Sequence, residues 1–135
     1  MIGNIDEQGR FRTALMDAAE KGRTATVNAL VAFTENADVE AIDKNGMKAL
    51  MFAAENGHTD TVIALAGVHN ANVDAAEDEG MTALMFAAEN GHTDTVIALA
   101  GTYNANVDAV DDEGSTALMF AARNGHTNTM DILGN

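Results

Sequence analysis

From Ala49 to Gly67 the chain reads ALMFAAENGHTDTVIALAG. Apolar letters crowd both ends of this stretch, and a polar ENGHT lies between them. The pattern predicts two short helices of about two to three turns, joined by a Gly-His turn. The same nineteen letters return at Ala83–Gly101, 34 residues further on. A third copy, ALMFAARNGHTNTMDILGN, starts at Ala117, and a looser one, ALMDAAEKGRTATVNALVA, starts at Ala14. A unit this small has too little core of its own, so neighbouring units must stack to bury a shared one.

Local signals place the elements within each unit. Residues 1–12 read as a polar lead-in. Thr13, Thr82 and Thr116 stand where an N-cap belongs, with Lys48 at the same place in the second unit. Thr24 and Thr59 are expected to cap the second helices. Gly22 and Gly57 are left-handed terminators of the first helices, Gly67 closes the second one, and Asn36 can supply another left-handed position. The connectors, such as VHNANVDAAEDEG, are polar, with Val73 as a lone apolar peg.

A period of 34 also fits a tetratricopeptide array, but those units give nearly the whole repeat to two long helices. Here a third of the period is polar turn, and the Trp and Pro anchors of that family are missing. The layout resembles the ankyrin repeat instead. The family's Gly-x-Thr-Pro-Leu-His-x-Ala-Ala-x-x-Gly-His appears as GMTALMFAAENGH at Gly80–His92 and GSTALMFAARNGH at Gly114–His126. Its Gly-Ala-Asp-Val-Asn-Ala appears as NANVDA at Asn70–Ala75 and Asn104–Ala109. Ala49, Ala83 and Ala117 replace the Pro, and Met51, Met85 and Met119 replace the first-helix His. One residue beyond the family's usual 33 falls after the second helix.

The expected architecture is therefore all-α: a solenoid of about four stacked ankyrin-type helix-turn-helix repeats with β-turn or hairpin connectors. The whole of 1–135 is expected to be one domain, with repeats at about 9–42, 43–76, 77–110 and 111–135, the last incomplete. Phe52, Phe86 and Phe120 form a ladder that Asp17 interrupts in the first unit, as fits a repeat with no neighbour before it. Asp131 stands where the inner units have Ile63 and Ile97. Asn28, polar at the same place, weakens that as a mark of a C-terminal cap, and a longer parent protein fits the incomplete last unit.

Composition narrows the chemistry. The chain has no cysteine, which removes thiol catalysis and cysteine-ligated zinc. That suits a cytoplasmic location, though a periplasm as well. Nothing near Met1 resembles a signal peptide, and no apolar run approaches membrane-spanning length. The net charge is −14, and residues 49–122 hold twelve acidic side chains and no Lys or Arg. Such a surface repels nucleic acid and steers basic partners toward it; it also serves simply to keep an Ala-rich stack soluble.

His58, His92 and His126 recur in register, but equivalent positions in stacked units lie about 10 Å apart, too far to share one metal ion. The resemblance gives these side chains a backbone-bonding role in the turns. His69 has no counterpart in the other units and is expected to be solvated. The acidic connectors lack the EF-hand spacing, with Ala75 and Ala109 where a carboxylate is required. The only Ser, Ser115, sits in a turn with no general base near it in sequence. The reading is a non-enzyme with no cofactor and no metal.

What the resemblance implies is a protein-binding module, monomeric, whose partner docks on turn tips and first helices along the concave face. Carried onto this chain, those positions are Glu20, Lys21, Lys44, Asn45, Met47, Glu55, Asn56, Asp78, Glu79, Met81, Glu89, Asn90, Asp112, Glu113, Ser115, Arg123 and Asn124. Met47 and Met81 are expected as exposed, adaptable apolar groups, with packing against their own helices as the alternative. Two other functions fit the same letters. The duplicated segments suit a structural or consensus-like scaffold without a dedicated partner, since Glu55-Asn56 and Glu89-Asn90 have not diverged. A regulatory or targeting segment of a larger enzyme or effector is the third.

Overall fold

The computed structural model describes residues 3–5, 11–33 and 37–134. Within them the helices come in four pairs: α1 (Ala14–Glu20) with α2 (Thr24–Phe33), α3 (Ala49–Glu55) with α4 (Thr59–Ile63), α5 (Ala83–Glu89) with α6 (Thr93–Val96), and α7 (Ala117–Arg123) with α8 (Thr127–Leu133). The first helices α1, α3, α5 and α7 touch in succession, and so do the second helices. Two parallel layers result, which is the all-α stack that the repeat predicts. The core runs between them without a break, through Leu15, Leu50 and Leu84 in one layer and Val27, Val62 and Val96 in the other. Alanines at the closest approach, including Ala19, Ala53 and Ala87, are fully buried. Small side chains let the helices of this aromatic-poor chain pack closely.

The first helices start as the sequence indicates. The hydroxyls of Thr13, Thr82 and Thr116 accept from the backbone N–H of Met16, Met85 and Met119 at 3.1, 3.3 and 3.3 Å. Lys48 offers no such acceptor, and its ammonium instead bonds Glu40 at 2.8 Å.

The second helices depart from expectation. Thr24 and Thr59 do not cap them but are their first residues. Their hydroxyls face the next unit, pairing with the hydroxyls of Thr61 at 2.7 Å and Thr95 at 2.8 Å, and Thr93 pairs likewise with Thr129 at 2.9 Å. Thr61, Thr95 and Thr129 are buried, so each hydroxyl needs a partner, and the adjacent unit supplies it.

The extra residue of the repeat lies inside the second helix rather than after it. Helix α4 runs on as a π-helical turn over Ala64–Val68, and α6 does the same over Ile97–Thr102. His69 N–H bonds Ala64 C=O at 3.0 Å, and Tyr103 N–H bonds Ala98 C=O at 3.1 Å, five residues back in each case. A π turn holds one residue more than an α turn, so it absorbs the insertion without breaking the hydrogen-bond ladder. Gly67 therefore does not terminate α4. It leaves room for Tyr103, whose Oη lies 2.6 Å from where a Cβ would stand. Asn70 and Asn104, each at φ +57°, take the left-handed position. Asn36, expected in that role, lies outside the described residues.

The ends differ from each other. The lead-in is not featureless: Gly3–Ile5 (β1) pairs antiparallel with Phe11–Thr13 (β2), and both strands touch α1. Arg12 leaves β2 to lie 4.5 Å over the Phe52 ring, bonding Asp17 at 2.7 Å and Glu20 at 2.8 Å. Asp17 thus faces an arginine where the ladder would have put another ring. At the other end Leu118 and Met119 are 38% and 46% exposed, whereas Leu84 and Met85 in the third unit are 1% exposed. Asp131 carries no capping signal, because Ile63 and Ile97 at the same place are themselves exposed.

Candidate functional site

The turn tips are built by carboxylates. Asp43 Oδ1 accepts from the backbone N–H of Asn45 and Met47, both at 2.9 Å. Glu77 Oε1 does the same for Glu79 and Met81 at 2.8 and 2.9 Å, and Asp111 Oδ1 for Glu113 and Ser115 at 3.0 and 2.8 Å. Side chains that fold back onto nearby N–H groups make rigid turns. Adjacent tips are then tied together, Asp78 N–H to Asn45 C=O and Asp112 N–H to Glu79 C=O, each at 3.0 Å. Part of the acidity in the connectors is therefore structural.

The ends of the first helices are fixed from two sides. Nδ2 of Asn56, Asn90 and Asn124 donates to the carbonyl of Phe52, Phe86 and Phe120, each at 2.9 Å. The histidines come from the following unit. His58, His92 and His126 donate from Nε2 to the carbonyls of Glu20, Glu55 and Glu89, each at 2.9 Å. A carbonyl only accepts, so the proton sits on Nε2. The backbone-bonding role is as the resemblance implies, but it joins one unit to the next. His69 is not merely solvated: its Nε2 meets Asn28 Oδ1 at 2.8 Å. Among the described residues no three His, Asp or Glu side chains converge on a metal position.

Equivalent positions on the first helices place Glu20, Glu55, Glu89 and Arg123 in a column. Arg12 neutralises Glu20 at one end, and Arg123 ends the run at the other. Between them Glu55 stands beside the like charges of Glu20 and Glu89. Burial raises its pKa first, and the carboxylates of Glu20 and Glu89 raise it further. Arg123 lies 5.4 Å over the Phe120 ring, and its Nη2 donates to Ser115 Oγ at 2.7 Å.

Of the expected docking positions, Lys21, Lys44, Asn45, Asn56, Asp78, Glu79, Asn90, Asp112, Glu113, Arg123 and Asn124 are exposed. Glu20, Glu55, Met81 and Glu89 are half-buried. Two are corrected. Met47 is only 7% exposed, drawn into the core inside the hydrogen-bond ring of its own tip. Ser115 is 2% exposed and bonded to Arg123. Six of the expected residues, Asn45, Met47, Glu55, Asp78, Glu79 and Met81, line one open groove of about 400 Å3 between the second and third units. Asp43, Glu77, Phe52 and Phe86 complete it. Sequence reading missed Arg12 altogether. A spacing of 35 from Met47 puts it in the Met47–Met81–Ser115 column, and that register was the available signal.

The family model for ankyrin repeats, in three copies, matches residues 2–77 and 65–135. The chain belongs to the ankyrin-repeat family. Ankyrin repeats are generally non-catalytic modules of protein–protein interaction. No curated protein matches this ankyrin-repeat chain as a relative. Among its described residues no helix is long and apolar enough to cross a membrane.

Proposed function

We propose that this chain is a non-catalytic module that binds a protein partner across its turn tips and first helices, and that its carboxylates select a partner with a basic patch. The observation that carries the reading is the groove between the two inner units, where tips and first helices of both contribute walls. The positions that meet the partner are those expected from sequence, less Ser115, which shapes the face from behind, with Met47 reaching it only as part of the groove floor. The scaffold alternative loses part of its support. Asn56 and Asn90 are retained because each closes a helix end, whether or not anything binds there.

The test is a selection from a displayed random-peptide library against the full chain, with the bound peptides mapped by crosslinking. Binders should crosslink to Asn45, Glu55, Asp78, Glu79 or Glu89, and their affinity should fall steeply with salt. Crosslinks confined to the second helices would refute the face, and affinity that ignores salt would refute the electrostatic selection.

A further inference from the structure

We infer that the groove between the second and third units is a receptor for an arginine side chain of the partner, seated against Glu55 over the apolar floor of Met47, Met81, Phe52 and Phe86. The inference rests on the proposed function and says what chemistry enters that site.

The chain contains its own precedent. Between the first and second units a guanidinium already occupies the corresponding place: Arg12 lies over Phe52 and bonds Glu20, the counterpart of Glu55. One repeat further along, the ring and the Glu20-type carboxylate recur, while the cation is missing and Phe52 stands where Asp17 bonds Arg12. Phe86 takes the part of Phe52, and Glu55 the part of Glu20. Met47 stands in the Arg12 column and offers a polarisable wall without charge. The fourth unit closes the pattern, because Arg123 again lies over a ladder ring, Phe120, and satisfies the tip through Ser115. Guanidinium groups therefore occupy both ends of the face and are missing from its middle. There Glu55 stands between the carboxylates of Glu20 and Glu89.

A planar, weakly hydrated guanidinium suits such a place better than an ammonium. It stacks on rings and thioethers while its edge bonds a carboxylate. The Glu55 carboxyl, already held half-buried, is pre-desolvated for a charged partner. A groove of about 400 Å3 admits a whole arginine side chain with its neighbouring backbone. An anionic or purely aliphatic residue would leave Glu55 uncompensated.

The experiment titrates the full chain, with its methionine methyls 13C-labelled, against three capped pentapeptides: Ala-Gly-Arg-Gly-Ala, the same with Lys, and the same with citrulline. Arginine should shift the methyl signals of Met47 and Met81 and leave Met16 still. Citrulline, isosteric but uncharged, should bind at least about tenfold more weakly, and lysine several-fold more weakly. E55Q should weaken the arginine peptide about fivefold, the loss of one partly exposed ion pair, with the fold intact by circular dichroism. Equal shifts with citrulline, or shifts outside the groove, would overturn the inference. The library selection separates the two claims. Binders that crosslink to the face without an arginine in the groove sink this inference alone, whereas binders that avoid the face sink the module reading itself.

Discussion

Gly57→Ala tests whether the histidines hold the units together. Gly57 sits at φ +71°, and a Cβ there would lie 2.5 Å from Nδ1 of His92, the side chain that bonds Glu55 C=O. Alanine in left-handed backbone costs about 1–2 kcal/mol, offset by about 0.5 kcal/mol from a less free unfolded chain. To clear the methyl, the ring must retreat beyond ordinary contact, and the bond to Glu55 is lost. A lost hydrogen bond and a carbonyl left poorly solvated add about 2 kcal/mol, for a total near 3 kcal/mol. Gly125 supplies the control. It has the same backbone, φ +72°, with nothing within 4 Å of its would-be Cβ, so Gly125→Ala should cost only about 1 kcal/mol. Urea unfolding followed by far-UV circular dichroism measures both. In a double-mutant cycle, His92→Ala removes the obstacle, so Gly57→Ala should then cost no more than its backbone share, a coupling of about 2 kcal/mol. Equal costs at Gly57 and Gly125, or an additive cycle, would refute the claim that the contact between units sets the penalty.

Burial along the stack predicts a gradient. Leu84→Ala should cost about 3 kcal/mol and Leu118→Ala about 1 kcal/mol by the same unfolding assay, because Leu84 is 1% exposed and Leu118 38%. Burial alone would raise the pKa of Glu40, but bonds from Lys48 and from Asn72 N–H, with the Lys48 charge, hold it below the usual carboxylate range. A depressed carboxyl stabilises the fold above its unfolded pKa of about 4.3 and loses that contribution as pH falls through the folded value. Glu40→Gln should accordingly lower stability at neutral and alkaline pH and cost little below the folded value, so the acid limb of a stability–pH curve becomes flatter. Glu55 has the opposite sign: raised by burial and by Glu20 and Glu89, it opposes folding when ionised and is relieved as pH falls through its folded value. Glu55→Gln should raise the urea midpoint at neutral pH in low salt, and the gain should shrink as salt is added.

The stack itself could be read from letters because its signals are local and repeated. A capping Thr, an apolar run and a Gly after the helix each act within a few residues, and the 34-residue period multiplies them. What stayed hidden depends on the neighbouring unit. Thr59 looks like a cap until Thr95 is placed beside it. Gly67 looks like a terminator until Tyr103 is seen to need its space. The π turn could not be inferred because an extra residue has the same sequence signature wherever the chain absorbs it. At the docking face, the identity of the columns was legible but their depth was not. Met47 is buried by the hydrogen bonds of its own tip, a geometry that no apolar–polar pattern encodes.

The joints made by the histidines have a consequence for how such a chain assembles. Each ring grips a main-chain carbonyl, which is the same whatever side chain that residue carries, and the second and third units each present a ring on one side and a carbonyl on the other. The second and third units are also letter-for-letter alike over nineteen residues. A helix pair that docks one place too far along during folding, or onto the corresponding place in a neighbouring molecule, therefore meets the same welcome as in its rightful seat. Fidelity must come from the units that differ, such as the first one, where Arg23 stands in place of the ring and Arg12 with its strands adds contacts of its own.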